Sequence, residues 1–184
     1  LDTSSSALGV TLSSDGTYAF VADASAGLQI IDVSNVAAPT PAGNLDTSGS
    51  AQGVTLSSDG QYAFVADGGS GLQIINVSNV ADPTLAGNLD TSGTARSVAV
   101  SADDAYAFVA DGYYGLQIID VSNVAAPTPA GSYGTSDAFG VTLSSDGQYA
   151  FVADYYSGLQ IIDVSNVFNP ALVGTQDTGG IALG

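Results

Sequence analysis

Aspartate, tyrosine and one arginine are the side chains in this sequence with chemistry to offer. The 184 residues hold 18 acids, every one aspartate, against a single base, Arg96, and contain no His and no Cys. The aspartates recur at fixed offsets. Asp15, Asp59, Asp103 and Asp146 form one set at a turn; Asp23, Asp67, Asp111 and Asp154 close the phrase YAFVAD; Asp32, Asp120 and Asp163 form a third, with Asn76 in the remaining place. Oxygen donors without His or Cys suit a hard cation such as Ca²⁺, and the second set, beside glycine-bearing loops, is where such a metal would sit. Ca²⁺ needs about six to eight converging oxygens, however, and neither a D-x-D-x-D-G loop nor a nonapeptide calcium repeat is present. The other reading is that each carboxylate accepts N–H groups in a turn. No other cofactor is expected.

Paired aspartates can also hydrolyse glycosides. A set repeated in every unit is what turn chemistry produces, whereas an active site is unique. With no His, Lys, Cys or Glu to act as tuned base or nucleophile, the chain reads as non-enzymatic.

What must position these groups is a repeated unit. YAFVAD, a short loop and GLQIIDVSNV recur with Leu28, Leu72, Leu116 and Leu159 in equivalent places, at spacings of 44, 44 and 43 residues. A fixed period of this size marks stacked supersecondary units, none able to bury its apolar faces alone. Within residues 53–91, GVTLSS alternates apolar and polar, Asp59-Gly60 signals a tight turn, QYAFVAD is β-branched and aromatic, and GLQIINVS follows a Gly/Ser loop. Pro83 marks a second loop, and TLAGNLDT is a more polar strand suited to an edge. The third strand is apolar on both sides: Leu72 and Ile74 point one way, Ile75 and Val77 the other. Sheets of this kind repeated radially predict an all-β fold, a β-propeller of four tandem four-stranded antiparallel blades of about 44 residues each. The blades should span approximately 8–47, 53–91, 97–135 and 140–178 of one domain, 1–184, with 179–184 starting a further repeat.

Places where the repeats diverge are the candidates for binding. In an up-and-down blade, the loop between strands two and three shares a face with the link into the next blade. That loop reads ASA (24–26), GGS (68–70), GYY (112–114) and YYS (155–157), and the residue opening each innermost strand is Leu8, Gln52, Arg96 or Phe139. Arg96, Tyr113, Tyr114, Phe139, Tyr155 and Tyr156 should therefore gather on one face of blades three and four, with Tyr133 at the outer end of the same link. Tyr and Arg are enriched in interfaces, and tyrosine rings stack on sugars, so this face is the candidate for a glycan or protein ligand. The plainer reading is that loop aromatics cover strand ends.

Net charge is -17. Such a surface repels phosphates, so no nucleic-acid partner is expected, and no apolar run is long enough for membrane insertion. LDTSSSALG (1–9) resembles QDTGGIALG (176–184), so the sequence reads as a piece of something longer. Terminal blades offer unpaired N–H and C=O groups, which predicts self-association or pairing with neighbouring repeats, for instance through Leu1–Ala7 or Gly179–Gly184.

GLQIIDVSN followed by AAPT and a glycine resembles the LVIVD-type propeller repeat of bacterial and archaeal surface proteins, and SSDG-x-YAFVAD resembles the related YVTN-type repeat. The resemblance covers essentially the whole chain, although such propellers commonly have more than four blades. It implies extracellular or cell-surface placement and a role in adhesion or surface architecture. The function expected on these grounds is a non-enzymatic building block of a filament, surface layer or adhesin. The other expectation is a carbohydrate- or protein-binding module using the Tyr-rich face.

Overall fold

Each repeat folds as a meander because its first turn is chemically closed. In the computed structural model, which describes residues 3, 5–179 and 182, Asp59 accepts the Gln61 N–H at 2.9 Å and the Ser57 hydroxyl at 2.7 Å, while Gly60 takes φ 70°. Asp15, Asp103 and Asp146 close the same turn in the other repeats. In the third, Asp104 replaces glycine and still adopts φ 57°, a conformation aspartate tolerates. Asp32, Asn76, Asp120 and Asp163 accept the N–H of a serine two residues on. The turn reading of these two aspartate sets therefore holds.

The strands are β1 (Gly9–Leu12), β2 (Tyr18–Ala22), β3 (Leu28–Asp32) and β4 (Thr40–Leu45) in blade 1; β5 (Gly53–Leu56), β6 (Tyr62–Ala66), β7 (Leu72–Asn76) and β8 (Thr84–Leu89) in blade 2; β9 (Ser97–Val100), β10 (Tyr106–Ala110), β11 (Leu116–Asp120) and β12 (Thr128–Tyr133) in blade 3; and β13 (Ala138–Leu143), β14 (Tyr149–Asp154), β15 (Gly158–Asp163) and β16 (Ala171–Gln176) in blade 4. Each blade is one antiparallel sheet in chain order. The chain is thus the all-β, four-bladed assembly that the periodicity predicts. None of the described residues forms a helix long and apolar enough to cross a membrane.

The two-faced third strand explains the stacking. Each blade has a trailing face, which meets the next blade, and a leading face, which meets the one before. On the trailing side of blade 1, Phe20, Leu28 and Ile30 pack against Ala63, Val65, Ile75 and Val77 of blade 2. Phe64, Leu72 and Ile74 repeat this against blade 3, and Phe108, Leu116 and Ile118 against blade 4. Glycine makes the close approach possible near each outer edge. A Cβ on Gly43, Gly87 or Gly131 would lie within 2.0 Å of the Val80, Val124 or Val167 carbonyl of the following blade. The innermost strands run side by side as β1, β5, β9 and β13.

Candidate functional site

The four innermost strands, with Phe151, Ala153 and Leu159 of β14 and β15, line an open trough of about 540 Å³. Leu8, Gln52, Arg96 and Phe139, the residues at which the repeats differ, all line it, together with Ser97 and Thr142. Arg96 is held in place from two directions. Its Nη1 lies 2.6 Å from Oδ1 of the buried Asp137, and its guanidinium carbon sits 3.6 Å from the centre of the Phe139 ring. A guanidinium fixed this way, mostly out of water, is a stronger electrostatic element than a mobile surface arginine.

The aromatic face extends from this point. Phe139 and Tyr155 have ring centres 5.3 Å apart, and Tyr155 meets Tyr156 edge-on at 4.8 Å. Tyr113 reaches Tyr156 from blade 3, and its side chain holds the Tyr156 phenol above its ordinary value. Arg96, Phe139, Tyr155, Tyr156 and Tyr113 are therefore contiguous. Tyr114 is exposed on the same loop, its carbonyl accepting Gln117 Nε2 at 2.7 Å, and it makes no ring pair with the others. Tyr133 lies elsewhere. It pairs in register with Leu116 and packs, partly buried, into the seam between blades 3 and 4, doing the work that Leu45 and Leu89 do in their own seams.

Two groups escaped the sequence reading. Gln52 looked like one more variable residue, and Asp137 belongs to none of the three aspartate sets. The signal for Asp137 was the shorter last spacing: one residue fewer in the link puts it where Gly49 stands in the link before blade 2. There the Gly49 N–H donates to Asp67, as the Asp137 N–H donates to Asp154 at 2.9 Å. β13 begins at Ala138 with a register shift before Gly140, which turns Phe139 toward Arg96.

Asp23, Asp67, Asp111 and Asp154, the metal candidates, are not brought together. They sit one per blade, and no group of three or more metal-binding side chains exists among the described residues. Each is a buried latch for the incoming link. Thr3 and the Ser5 N–H bond Asp23; Thr47 and the Gly49 N–H bond Asp67; Thr91 bonds Asp111 at 2.6 Å. Asp154 receives the N–H groups of Asp137, Tyr156 and Ser157. Burial pushes Asp67 up despite its bonds, and pushes Asp111 up to about 6, its second oxygen having no donor among the described residues.

The LVIVD repeat matches residues 7–47, 48–91, 92–135 and 137–178, which takes in nearly the whole chain. The chain belongs to the LVIVD repeat family. No curated protein matches the sequence of this LVIVD-repeat protein. Solved structures do match its fold. The periplasmic gluconolactonase PpgL of Pseudomonas aeruginosa superposes with a TM-score of 0.81 at 19% identity, over 95% of this chain and 58% of that one. A candidate 6-phosphogluconolactonase from Bacteroides uniformis gives 0.75 at 15% identity, over 96% and 55%. The Myceliophthora Cps50 (Swd1) β-propeller domain gives 0.74 at 12% identity, over 94% and 58%. The LVIVD chain thus spans less than three-fifths of each neighbour's length.

These neighbours correct the expected function. Lactonases share the fold, so the reading of a non-enzymatic filament, surface-layer or adhesin subunit, with its variant as a glycan- or protein-binding module, does not stand. The missing His, Lys, Cys and Glu were asked to exclude catalysis, and they do not suffice, because fixed dipoles and charges can carry a rate by themselves. At these identities the likeness itself carries the fold. LVIVD membership and a periplasmic neighbour are compatible with a secreted or periplasmic protein.

Proposed function

We propose that this LVIVD-repeat protein is a lactonase-like hydrolase whose axial trough takes a small sugar-derived lactone. The observation that carries the reading is the Arg96 guanidinium, held by Asp137 and Phe139 at the one axial position where the repeats put a positive charge. In lactone hydrolysis water adds to the ring carbonyl carbon, the acyl–oxygen ring bond breaks, and the ring oxygen leaves as a hydroxyl while a carboxylic acid forms. Negative charge develops on the carbonyl oxygen during the addition. A guanidinium already fixed and largely desolvated stabilises that charge without reorganising. Asp137 is then a positioning residue, and the Gln52 amide and Ser97 hydroxyl line the same trough as partners for sugar hydroxyls. The gluconolactonase and candidate 6-phosphogluconolactonase neighbours support the reaction class, and because this chain spans little more than half the length of either, the reading for the whole protein is part of the proposal.

The test is acid release from glucono-1,5-lactone followed by pH-stat against the spontaneous rate. Protein-dependent turnover should appear and fall about 100-fold in Arg96→Gln, the usual cost of losing one oxyanion donor. A rate equal to buffer alone, with no saturable lactone binding, would sink the reading. The same proposal places the protein outside the cytoplasm, at the cell surface or in a periplasm, and protease shaving of intact cells checks this.

A further inference from the structure

One asparagine stands where every other repeat has aspartate. Asp32, Asp120 and Asp163 end the third strand of blades 1, 3 and 4, and Asn76 ends β7 in blade 2. All four make the same turn, in which a side-chain oxygen accepts the N–H and the hydroxyl of the serine two residues on. The turn therefore asks only for an oxygen. What asparagine adds is the carboxamide Nδ2, which has no hydrogen-bond partner among the described residues.

Asn76-Val77-Ser78 is also the one place in the 184 residues where an asparagine is followed, two residues on, by serine or threonine. This is the acceptor pattern for N-linked glycosylation. The repeat pattern carries the third strand through Ser78, which would hold the whole triplet in a sheet. β7 instead ends at Asn76, and Ser78 and Asn79 lie exposed beyond it, with Asn76 partly buried. There Asn76 Oδ1 accepts the Ser78 N–H at 3.0 Å and the Ser78 hydroxyl at 2.7 Å. Two donors on the carboxamide oxygen stabilise the negative charge that builds on it as Nδ2 gives up a proton, and so favour attack by the nitrogen. Asn35, Asn79 and Asn166 form similar turns, but the residue two on is Ala37, Ala81 or Phe168, and the hydroxyl is missing.

We propose that Asn76 is an N-glycosylation site, the acceptor for a sugar supplied by a lipid-phosphate-linked glycan. Nδ2 attacks the anomeric carbon, and the bond from that carbon to the phosphate oxygen breaks. The lipid phosphate leaves with the bonding electrons, while the Nδ2 proton passes to a base of the transferase. The site is remote from the arginine. β7 starts beside the loop at 68–70, which the Gly68–Ala95 bridge ties to the link that carries Arg96, and climbs about 13 Å to Asn76. The glycan thus projects from the rim opposite the tyrosines. Lipid-linked donors serve chains that cross a membrane, so the site belongs with the placement outside the cytoplasm proposed above, and is independent of the hydrolytic reading.

Mass spectrometry of the protein taken from the cells that make it tests the proposal. Cleavage before aspartate releases residues 67–81, a peptide that holds Asn76 and, as an internal control, Asn79. This peptide should carry added hexose or N-acetylhexosamine, and fragmentation should place the sugar on Asn76 and leave Asn79 bare. Asn76→Asp installs the residue of the other repeats and keeps the turn, so it should fold like the wild type and lose the sugar completely. Ser78→Ala should lose it as well, whereas Ser78→Thr, which keeps the hydroxyl, should retain it. An unmodified 67–81 peptide in every cell fraction, sugar on another side chain, or modification that survives Ser78→Ala would each overturn the proposal. Lactone turnover is read separately through Arg96→Gln, so the failure of either reading leaves the other standing.

Discussion

Asp111 shows how burial and hydrogen bonding compete at one residue. Desolvation pushes its carboxyl up to about 6, while the Thr91 hydroxyl pulls the other way. The folded protein therefore binds this proton more tightly than the unfolded chain, where the value is 3.8. The stability that Asp111 contributes should rise as pH falls from about 6 toward 3.8, by on the order of 1–2 kcal/mol after allowance for solvent screening. Asp67 is raised for the same first reason and adds in the same direction. Asp15, Asp59 and Asp146 are lowered, chiefly by their serine hydroxyls, so their contribution is present above the unfolded value and lost only at lower pH. Urea denaturation of wild type and Asp111→Asn at pH 7 and pH 4.5 isolates the effect: the wild type should gain on the variant at the lower pH, and parallel behaviour would show that Asp111 ionises freely. The latches also bear on calcium. Because the oxygens of Asp23, Asp67 and Asp154 already hold hydroxyl or N–H donors, EDTA should leave the melting temperature unchanged. A fall of several degrees would return a cation to these residues.

At the scale of the element, the latch is what turns four meanders into one array. Thr47 and Thr91 donate from a link to a carboxylate of the next blade, each at 2.6 Å. Replacing either by valine keeps the shape and leaves a buried carboxylate short of a donor, so each change should cost about 1–3 kcal/mol in chemical denaturation. A loss within experimental error would mean that the link is held by backbone pairing, such as the Gly68–Ala95 bridge, instead. Much of this level was legible in advance. Asp-Gly turns, the two-faced third strand and the polar fourth strand are local patterns, and each became the element it announced. The gathering of Arg96, Phe139, Tyr155, Tyr156 and Tyr113 followed from knowing which loops share a face. Tyr133 did not follow, because only the register opposite Leu116 shows that its ring fills a seam. Asp137 was hidden for a related reason: its partner Arg96 is 41 residues away, and the pair exists only once two blades are packed. The latch itself was invisible, since a carboxylate that bonds the preceding link looks in sequence like one that bonds its own turn.

For the whole molecule, stability should be distributed by the number of seams each blade makes. Blades 2 and 3 are covered on both faces, and blades 1 and 4 on one each. In a repeat array whose units meet only their neighbours, the ends open first. Phe64, 1% exposed between blades 2 and 3, should cost about 3–5 kcal/mol when changed to alanine. Phe151 occupies the same place in blade 4 but is only partly covered, so Phe151→Ala should cost clearly less. Hydrogen exchange should agree, with the amides of β6, β7, β10 and β11 exchanging more slowly than those of β2 and β14. Equal costs for the two substitutions would mean that the trailing face of blade 4 is covered as fully as the internal seams.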